Sequence, residues 1–333
     1  IKVILITSKI YKKFLYKKNL KIIKISKIKY LNFFPYRWNI TFSAMVVLGI
    51  YLWRKKKSKI KIFSMQSHLG AIVVSKIFNR KIIIRNSEEL FGATKYADNK
   101  FLAFIVLILK ILLYNLCDQI IAISKKSENS LKKIVLSKNK VLLIYNPYLD
   151  KIYKINKKNK KSEFNILSVG RFTKQKNFDI LLQTFDEISK KLQNSKLTLI
   201  GSGPLEDEIK LKYKNNNKIK ILPWKSNLSK YYLNSDLFVL TSFYEGLPNV
   251  LIEAVNYNIP VISTDVSGAK DILLGQKGGN IIPIDNKKIL KSKILNSISN
   301  YNKFKKKAFI AKKKVYRFSN RNLNYLHDLI CKN

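Results

Sequence analysis

The chain has 333 residues, enough for about two domains, and its 47% hydrophobic content can fill sizeable cores, which excludes a disordered chain. Its formal charge of +45 comes from 65 Lys and Arg against 20 Asp and Glu, yet the lysines are spread along the whole length and form no zinc-finger, helix-turn-helix or RNA-binding signature. Two Cys (Cys117, Cys331) and two His (His68, His327) exclude a disulfide framework and any structural zinc site of familiar spacing, and fit a reduced, cytoplasmic compartment.

The excess of Lys is matched by abundant Ile and Asn, all three favoured by AT-rich codons, so the charge reads as a solvated, compositionally biased surface. Nucleic acid is not an expected partner. The opening run "IKVILIT" is too short for a signal peptide and lacks a small-residue cleavage site. The longest apolar stretches, Ile40 to Trp53 and Phe101 to Leu116, fall short of the ~20 residues that span a bilayer. They read as helices that are buried or touch a membrane surface.

In chain order, β-branched runs alternate with helical patterns. "KVILIT", "KIIKIS", "KIKIFSM", "KIIIRN", "QIIAIS" and "VLLIYN" predict strands in the first half, with helices over 38–54, 69–78, 99–117 and 125–136. The Lys/Asn-rich stretch 150–164 has no apolar face and predicts a linker. The pattern then restarts, with strands "NILSVG", "KLTLIG", "KIKILP", "DLFVLTS", "PVISTD" and "NIIPI" and helices over 177–193, 205–214, 249–257 and 286–298. Strand–helix alternation predicts an α/β fold of two doubly wound parallel-sheet domains, with ligands at the carboxyl ends of the strands in the cleft between them. The expected division is a domain at 1–149, the linker, a second domain at 165–310, and a carboxy-terminal helix at 311–333 that packs back on the first domain.

The chemistry is expected just after strands. Gly170 allows a tight turn after "NILSVG", and Arg171 and Lys176 lie beside a helix N-terminus near Asn177, a site for a diphosphate. "GSGP" at 201–204 leaves room for a ligand or for a neighbouring loop. "SFYEGLPNVLIEAV" at 242–255 carries Glu245 and Glu253 and lies within a gap, Tyr231 to Ala269, that has no Lys or Arg. The gap reads in part as burial, and in part as exclusion of a Lys that would pair with the two carboxylates and block them. Pro248 and Asn249 begin a helix there, and the N–H groups from Leu247 to Val250 face an incoming phosphate or sugar oxygen.

The spacing E-x7-E in "EGLPNVLIE", the loop "GRFTKQKN", the turn "GSGPL" and the run "SDLFVLTSFYEG" resemble the retaining, nucleotide-sugar-dependent glycosyltransferases of family 4, which have the two-domain GT-B architecture. "CDQIIAISKKSENSLKK" and "VLLIYNPYLD" resemble the end of such a first domain. The resemblance implies that Arg171 and Lys176 hold the donor diphosphate and that Glu253 holds the nucleotide ribose. It also implies that Glu245 with Gly246, Leu247, Pro248, Asn249 and Val250 holds the transferred sugar. Pro223, Trp224 and Lys225 would border the nucleobase. It further implies turnover without a metal or cofactor, front-face attack by the acceptor, and no covalent intermediate. The expected partners are a nucleotide sugar, a UDP-sugar foremost, and a glycan or polyprenyl-linked acceptor of cell-surface polysaccharide or lipopolysaccharide assembly.

One family feature departs. A His that faces the reacting sugar after the strand "KIIIRNSEE" is replaced by Arg85 and Asn86; His68 is a second candidate, and Glu88 and Glu89 lie close in sequence. The apolar helix beside "FFPYRW" and "RKKKSKIK" adds an expected peripheral contact with the cytoplasmic face of an anionic membrane. The chain begins at Ile1, and its first strand resembles the family's second, so an opening strand, glycine-rich loop and helix are expected upstream. The competing readings are a GT-B phosphorylase or epimerase, for which no pyridoxal-phosphate lysine motif is present, and a non-enzymatic basic protein binding membrane or nucleic acid.

Overall fold

The computed structural model describes residues 3–7, 20–24, 36–65, 68–153, 163–190, 192 and 194–331. Most of the expected linker and the first three residues of "FFPYRW" lie outside the described residues.

In the first half, β1 (Val3–Thr7) and β2 (Leu20–Lys24) pair parallel as a two-stranded sheet. A second parallel sheet runs in the order β3 (Ile62–Ser64), β4 (Ile82–Asn86), β5 (Gln119–Ala122), β6 (Val141–Leu143). Successive side chains of a strand point to opposite faces, so Ile82, Ile84, Ile120 and Ala122 enter one core with Leu90, Tyr114 and Leu131, while Ile83 and Ile121 enter another. Both faces of the sheet are thus apolar, which is why its strands read as continuous Ile runs and not as alternation.

The four expected helices appear as α1 (Tyr36–Arg54), α2 (His68–Ile77), α4 (Lys100–Tyr114) and α5 (Lys125–Ile134). A fifth, α3 (Leu90–Lys95), is too short to show a periodic pattern; its start is fixed by the Glu89 carboxylate, which accepts from Phe91 N–H (3.3 Å) and Gly92 N–H (2.5 Å). The α4 run is apolar all round, but only Tyr114 is buried: Phe101 is 75% exposed, Phe104 55% and Leu112 61%. The expectation of a buried or surface-touching helix resolves in favour of exposure.

In the second half, six parallel strands take the order β12-β11-β10-β7-β8-β9. They are β7 (Phe164–Val169), β8 (Ser195–Ile200), β9 (Ile219–Leu222), β10 (Leu237–Leu240), β11 (Val261–Thr264) and β12 (Asn280–Ile282). Helix α6 (Phe178–Ser189) covers one face with Leu181, Leu182 and Phe185; α9 (Asn249–Asn256) covers the other with Leu251, Ile252 and Val255. Each such side chain contributes about 1.5–3 kcal/mol by leaving water. Strand order reverses between β7 and β10, and at that switch point the loops diverge and leave a crevice. Shorter helices α7 (Glu206–Lys212), α8 (Ser229–Leu233) and α10 (Ala269–Ile272) fill the remaining connections, and α11 (Lys287–Ser299) packs beside α6.

The boundary expected at 310 falls inside α12 (Tyr301–Lys313). In place of one helix over 311–333, the chain completes α12, makes a 3-10 turn (Val315–Phe318) and enters α13 (Arg321–Cys331). Leu326, Leu329 and Ile330 of α13 pack with Ile83 and Ile121 on the first half's sheet. The halves are also tied by backbone: Tyr148 and Leu149 both donate N–H to Phe318 O at 2.9 Å.

Candidate active site

Three loops meet at the switch point, and glycines set how closely. A Cβ on Gly201 would lie 1.8 Å from Gly170 O, and one on Gly203 would lie 2.5 Å from Phe172 O. The "GSGP" turn therefore makes room for a neighbouring loop, resolving the two readings of it. Gly170 is not required by its backbone angle, since it is not among the positive-φ residues. A Cβ there would press on the Phe178 ring (3.2 Å) and the Lys176 stem (3.3 Å), so the loop packs closely over both.

Lys176 ends the 3-10 turn Lys174–Lys176, and Asn177 follows in the left-handed region at φ 46°, which turns the chain into α6. The turn directs Lys176 at Glu245: Nζ and Oε1 are 2.5 Å apart, with the side chains 13% and 11% exposed. Ser242 Oγ donates to the same carboxylate oxygen at 2.8 Å. The idea that the charge gap keeps cations away from Glu245 is therefore wrong. Burial explains the gap instead, because from Tyr231 to Ala269 only Leu233 and Asn234 are exposed. The cation beside Glu245 comes from 69 residues earlier in the chain.

From Glu245 the chain passes Gly246, Leu247 and Pro248 into α9, whose first N–H groups open toward the crevice. A Cβ on Gly246 would lie 1.9 Å from Ser87 O in the opposite half, so the backbones of the two halves touch beside Glu245. Asn249 and Glu253 lie one turn apart on α9. Asn249 Oδ1 and Glu253 Oε2 are both buried and have no hydrogen-bond partner among the described residues. The other oxygen of Glu253, Oε1, accepts from the Tyr148 hydroxyl. Burial, and then the negative Glu253, push the Tyr148 hydroxyl pKa up, so it stays a donor.

Arg171 is exposed at the crevice edge, Val250 at the start of α9 is half-buried, and Leu247 is 7% exposed. Pro223, Trp224 and Lys225 are exposed after β9, and Trp224 N–H donates to Ser202 Oγ at 3.1 Å, so the Trp loop and the "GSGP" turn form one wall. The residues expected to hold a donor thus lie on loops, and on the first turns of α9, at the carboxyl edge of one sheet.

The candidates in the first half divide. His68 Nδ1 is 3.0 Å from Ser64 Oγ, and its ring meets Tyr114 edge-on at 6.3 Å. Its pKa is lowered to about 4, first by burial and then by Lys110 and Arg85, so the ring is neutral at physiological pH. Arg85 donates to Ser87 Oγ (2.9 Å) and to Asn146. Asn86 is buried and accepts from the Tyr114 hydroxyl (3.3 Å), Glu88 pairs with Lys110 (3.8 Å), and Glu89 is consumed in capping α3. Each of these has a structural partner within its own half.

Between the halves lies an open cavity of about 840 Å³, with Glu89 and Gly92 on one wall and Phe243, Tyr244 and Glu245 on the other. Tyr96 stacks on Phe243 at 4.9 Å across it. Sequence reasoning passed over Tyr148, Ser242 and this cavity. For Tyr148 a signal existed, since "YNPYLD" matched the family pattern at the end of the first domain.

Residues 150–314 match the family model for glycosyl transferases group 1. An uncharacterised glycosyltransferase of Methanocaldococcus jannaschii is 31% identical over 229 residues, 62% of this chain and 55% of that protein. A Campylobacter jejuni N-acetylgalactosamine-N,N'-diacetylbacillosaminyl-diphospho-undecaprenol 4-alpha-N-acetylgalactosaminyltransferase is 30% identical over 222 residues, 64% of this chain and 60% of its own length. The chain spans about half the length of the curated relatives it matches. Among solved structures, the Anabaena protein HepE in complex with UDP-glucose superposes with a TM-score of 0.74 at 15% identity, over 98% of this chain and 99% of that one. Sucrose-phosphate synthase from Thermosynechococcus elongatus gives 0.82 at 16% identity, over 99% and 90%. The architecture is that of the GT-B glycosyltransferases: two parallel-sheet domains about a cleft. Within it, residues 150–314 are a glycosyl transferases group 1 domain.

Proposed function

We propose that the protein is a retaining glycosyltransferase that moves a sugar from a nucleotide sugar, a UDP-sugar foremost, to a glycan or lipid-linked acceptor in the assembly of cell-surface polysaccharide or lipopolysaccharide. The observation that carries this reading is the juxtaposition at one helix N-terminus of a cation, a carboxylate and two buried acceptor oxygens that have no partner among the described residues. Such acceptors lack only hydroxyl donors, which a ribose and a sugar supply. The relatives' names support the same reading, with capsular polysaccharide biosynthesis glycosyltransferases in Staphylococcus aureus and a UDP-glucose complex of HepE.

In this mechanism Arg171 and Lys176 meet the donor diphosphate, and Glu253 Oε2 and Asn249 Oδ1 receive hydroxyl groups. Lys176 exchanges the Glu245 carboxylate for phosphate oxygens, which frees Glu245 for the transferred sugar. The bond from the anomeric carbon to the diphosphate then breaks as the acceptor oxygen attacks the same face, and the acceptor's proton leaves on a diphosphate oxygen. Charge gathering on the diphosphate is met by the two cations and the N-terminus of α9. No side-chain nucleophile takes part.

The same proposal holds the protein peripherally at the cytoplasmic face of an anionic membrane. Phe42, Val46, Ile50 and Trp53 form an exposed stripe on α1, followed by the basic run Arg54 to Lys57. Among the described residues no helix is long and apolar enough to cross a membrane.

The test is release of nucleoside diphosphate from a panel of UDP-, GDP- and ADP-sugars, with donor affinity measured for Glu253→Ala and Arg171→Ala. Arg171→Ala removes an exposed side chain at the crevice, and Glu253→Ala also removes the partner of the Tyr148 hydroxyl; a loss of ~10- to 150-fold is expected, with far-ultraviolet circular dichroism to check that each variant keeps its fold. Unchanged affinity in both would overturn the site.

A further inference from the structure

The two carboxylates of the crevice are held in different ways. Glu245 pairs with Lys176, whereas Glu253 makes no ion pair among the described residues, in a chain with 65 Lys and Arg. Its donor is a phenol, the Tyr148 hydroxyl, which donates to Oε1. Tyr232 lies near enough for Glu253, after burial, to push its pKa up, but its hydroxyl donates to Val250 O at 3.4 Å. Oε2 is buried and has no partner among the described residues.

The backbone that carries Tyr148 is fixed relative to α9. Tyr148 and Leu149 donate to Phe318 O, Leu149 pairs with Ser319 in an isolated parallel bridge, and Leu149 is buried in the same core as Leu251, Ile252 and Val255 of α9. Only the side chain of Tyr148 is left to move. A phenol suits the place, because it donates once and carries no charge, whereas a lysine would bring three donors and could cover both oxygens of Glu253. A carboxylate free to turn can take the two neighbouring hydroxyls of a ribose, one on each oxygen. Held at Oε1, Glu253 has one unpartnered oxygen to offer. The other buried acceptor, Asn249 Oδ1, is neutral, and a hydrogen bond to it is worth less than one to a carboxylate.

We propose that Tyr148 is a positioning residue for the donor: by holding Oε1 it aims Oε2 of Glu253 at a single ribose hydroxyl, so that the two ribose hydroxyls are recognised unequally. The inference rests on the nucleotide-sugar reading of the crevice and adds to it a residue from the connection between the halves. Tyr148 acts through Glu253 and takes no part in the bond that breaks.

The experiment is a calorimetric titration of the native protein and of Tyr148→Phe with UDP, 2'-deoxy-UDP and 3'-deoxy-UDP; if GDP or ADP binds in place of UDP, its own deoxy analogues are used. The substitution keeps the ring, which is 37% exposed, and removes one oxygen. In the native protein the two deoxy analogues should differ in affinity by at least ~10-fold, the scale of one charge-assisted contact. In Tyr148→Phe, UDP should bind more weakly and the ratio of the two analogues should collapse toward one, because a carboxylate free to turn takes whichever hydroxyl remains. Glu253→Gln should lower the ratio as well, and adding Tyr148→Phe to it should change the ratio no further, since Tyr148 acts through that carboxylate. A role in the fold alone would weaken all three ligands by one factor and leave the ratio as it was, which overturns the proposal. So would a native ratio near one, or tighter binding of UDP by Tyr148→Phe, which would make the phenol a competitor of the ribose. Binding without discrimination removes this proposal alone; failure of the native protein to bind UDP, GDP or ADP removes the nucleotide-sugar reading and this proposal with it.

Discussion

Replacing Lys176 by Met tests whether its pair with Glu245 is a structural ion pair as well as a component of the site. At the 2.5 Å separation of Nζ and Oε1 the attraction between unit charges is ~6–7 kcal/mol at an effective dielectric of ~20. Desolvation of two groups that are 13% and 11% exposed offsets most of this, so the pair adds little net stability. Losing one partner is different, because the other charge stays where it is. Glu245 would keep only the Ser242 hydroxyl, at an expected loss near 3 kcal/mol, the low end of the range for broken buried pairs because both groups retain some water. Glu245→Gln should cost a similar amount by orphaning Lys176. The double variant removes both charges and should be less destabilised than the sum of the singles by about 2 kcal/mol. Urea unfolding of the four proteins, with a common denaturant slope, reads this coupling. Singles within ~0.5 kcal/mol of the native protein, or strictly additive losses, would refute the argument.

Acid should destabilise the first half through His68: its imidazole titrates at about 4 when folded against 6.5 when unfolded, so the stabilisation is present above pH 6.5 and is lost as pH falls toward 4. The expected loss is ~2–3 kcal/mol, and His68→Gln should flatten that part of the profile; a native-like slope in the variant would refute it. Gly201→Ala drives a Cβ to 1.8 Å from Gly170 O and should cost ~1–3 kcal/mol together with donor affinity, whereas Gly49→Ala, inside α1 with nothing within 4 Å, should gain ~0.5–1 kcal/mol. Thermal melts of both variants would separate these signs. Flotation with anionic liposomes at low salt should carry the native protein but not Ile50→Glu/Trp53→Glu; recovery of the native protein in the soluble fraction ends the membrane reading.

The sequence by itself determined the architecture, because strand and helix formation here depends on local pattern. Ile runs with apolar residues on both sides of the pleat can only be central strands of a covered parallel sheet, and their strict alternation with helices leaves few topologies. It also placed Arg171, Lys176 and Glu245 on loops after strands of one sheet and Glu253 on the helix that follows, at the carboxyl ends that open at the switch point. Elements without a long period escaped it: α3 is six residues fixed by its Glu89 cap, and α13 is separated from α12 by a 3-10 turn.

Only the tertiary structure decided what depends on distance through space. Lys176 and Glu245 are 69 positions apart, and no local rule could say that a chain gap free of cations would receive one from another loop. The glycines at 201 and 246 are required by the backbone that approaches each of them, not by a positive φ of their own. The apolar runs of α1 and α4 have the same composition whether they meet a sheet or water, so their exposed faces were invisible to periodicity. The lysines of α5 looked like any others in a chain of charge +45, until the fold turned one stripe of them toward the space beside Glu245.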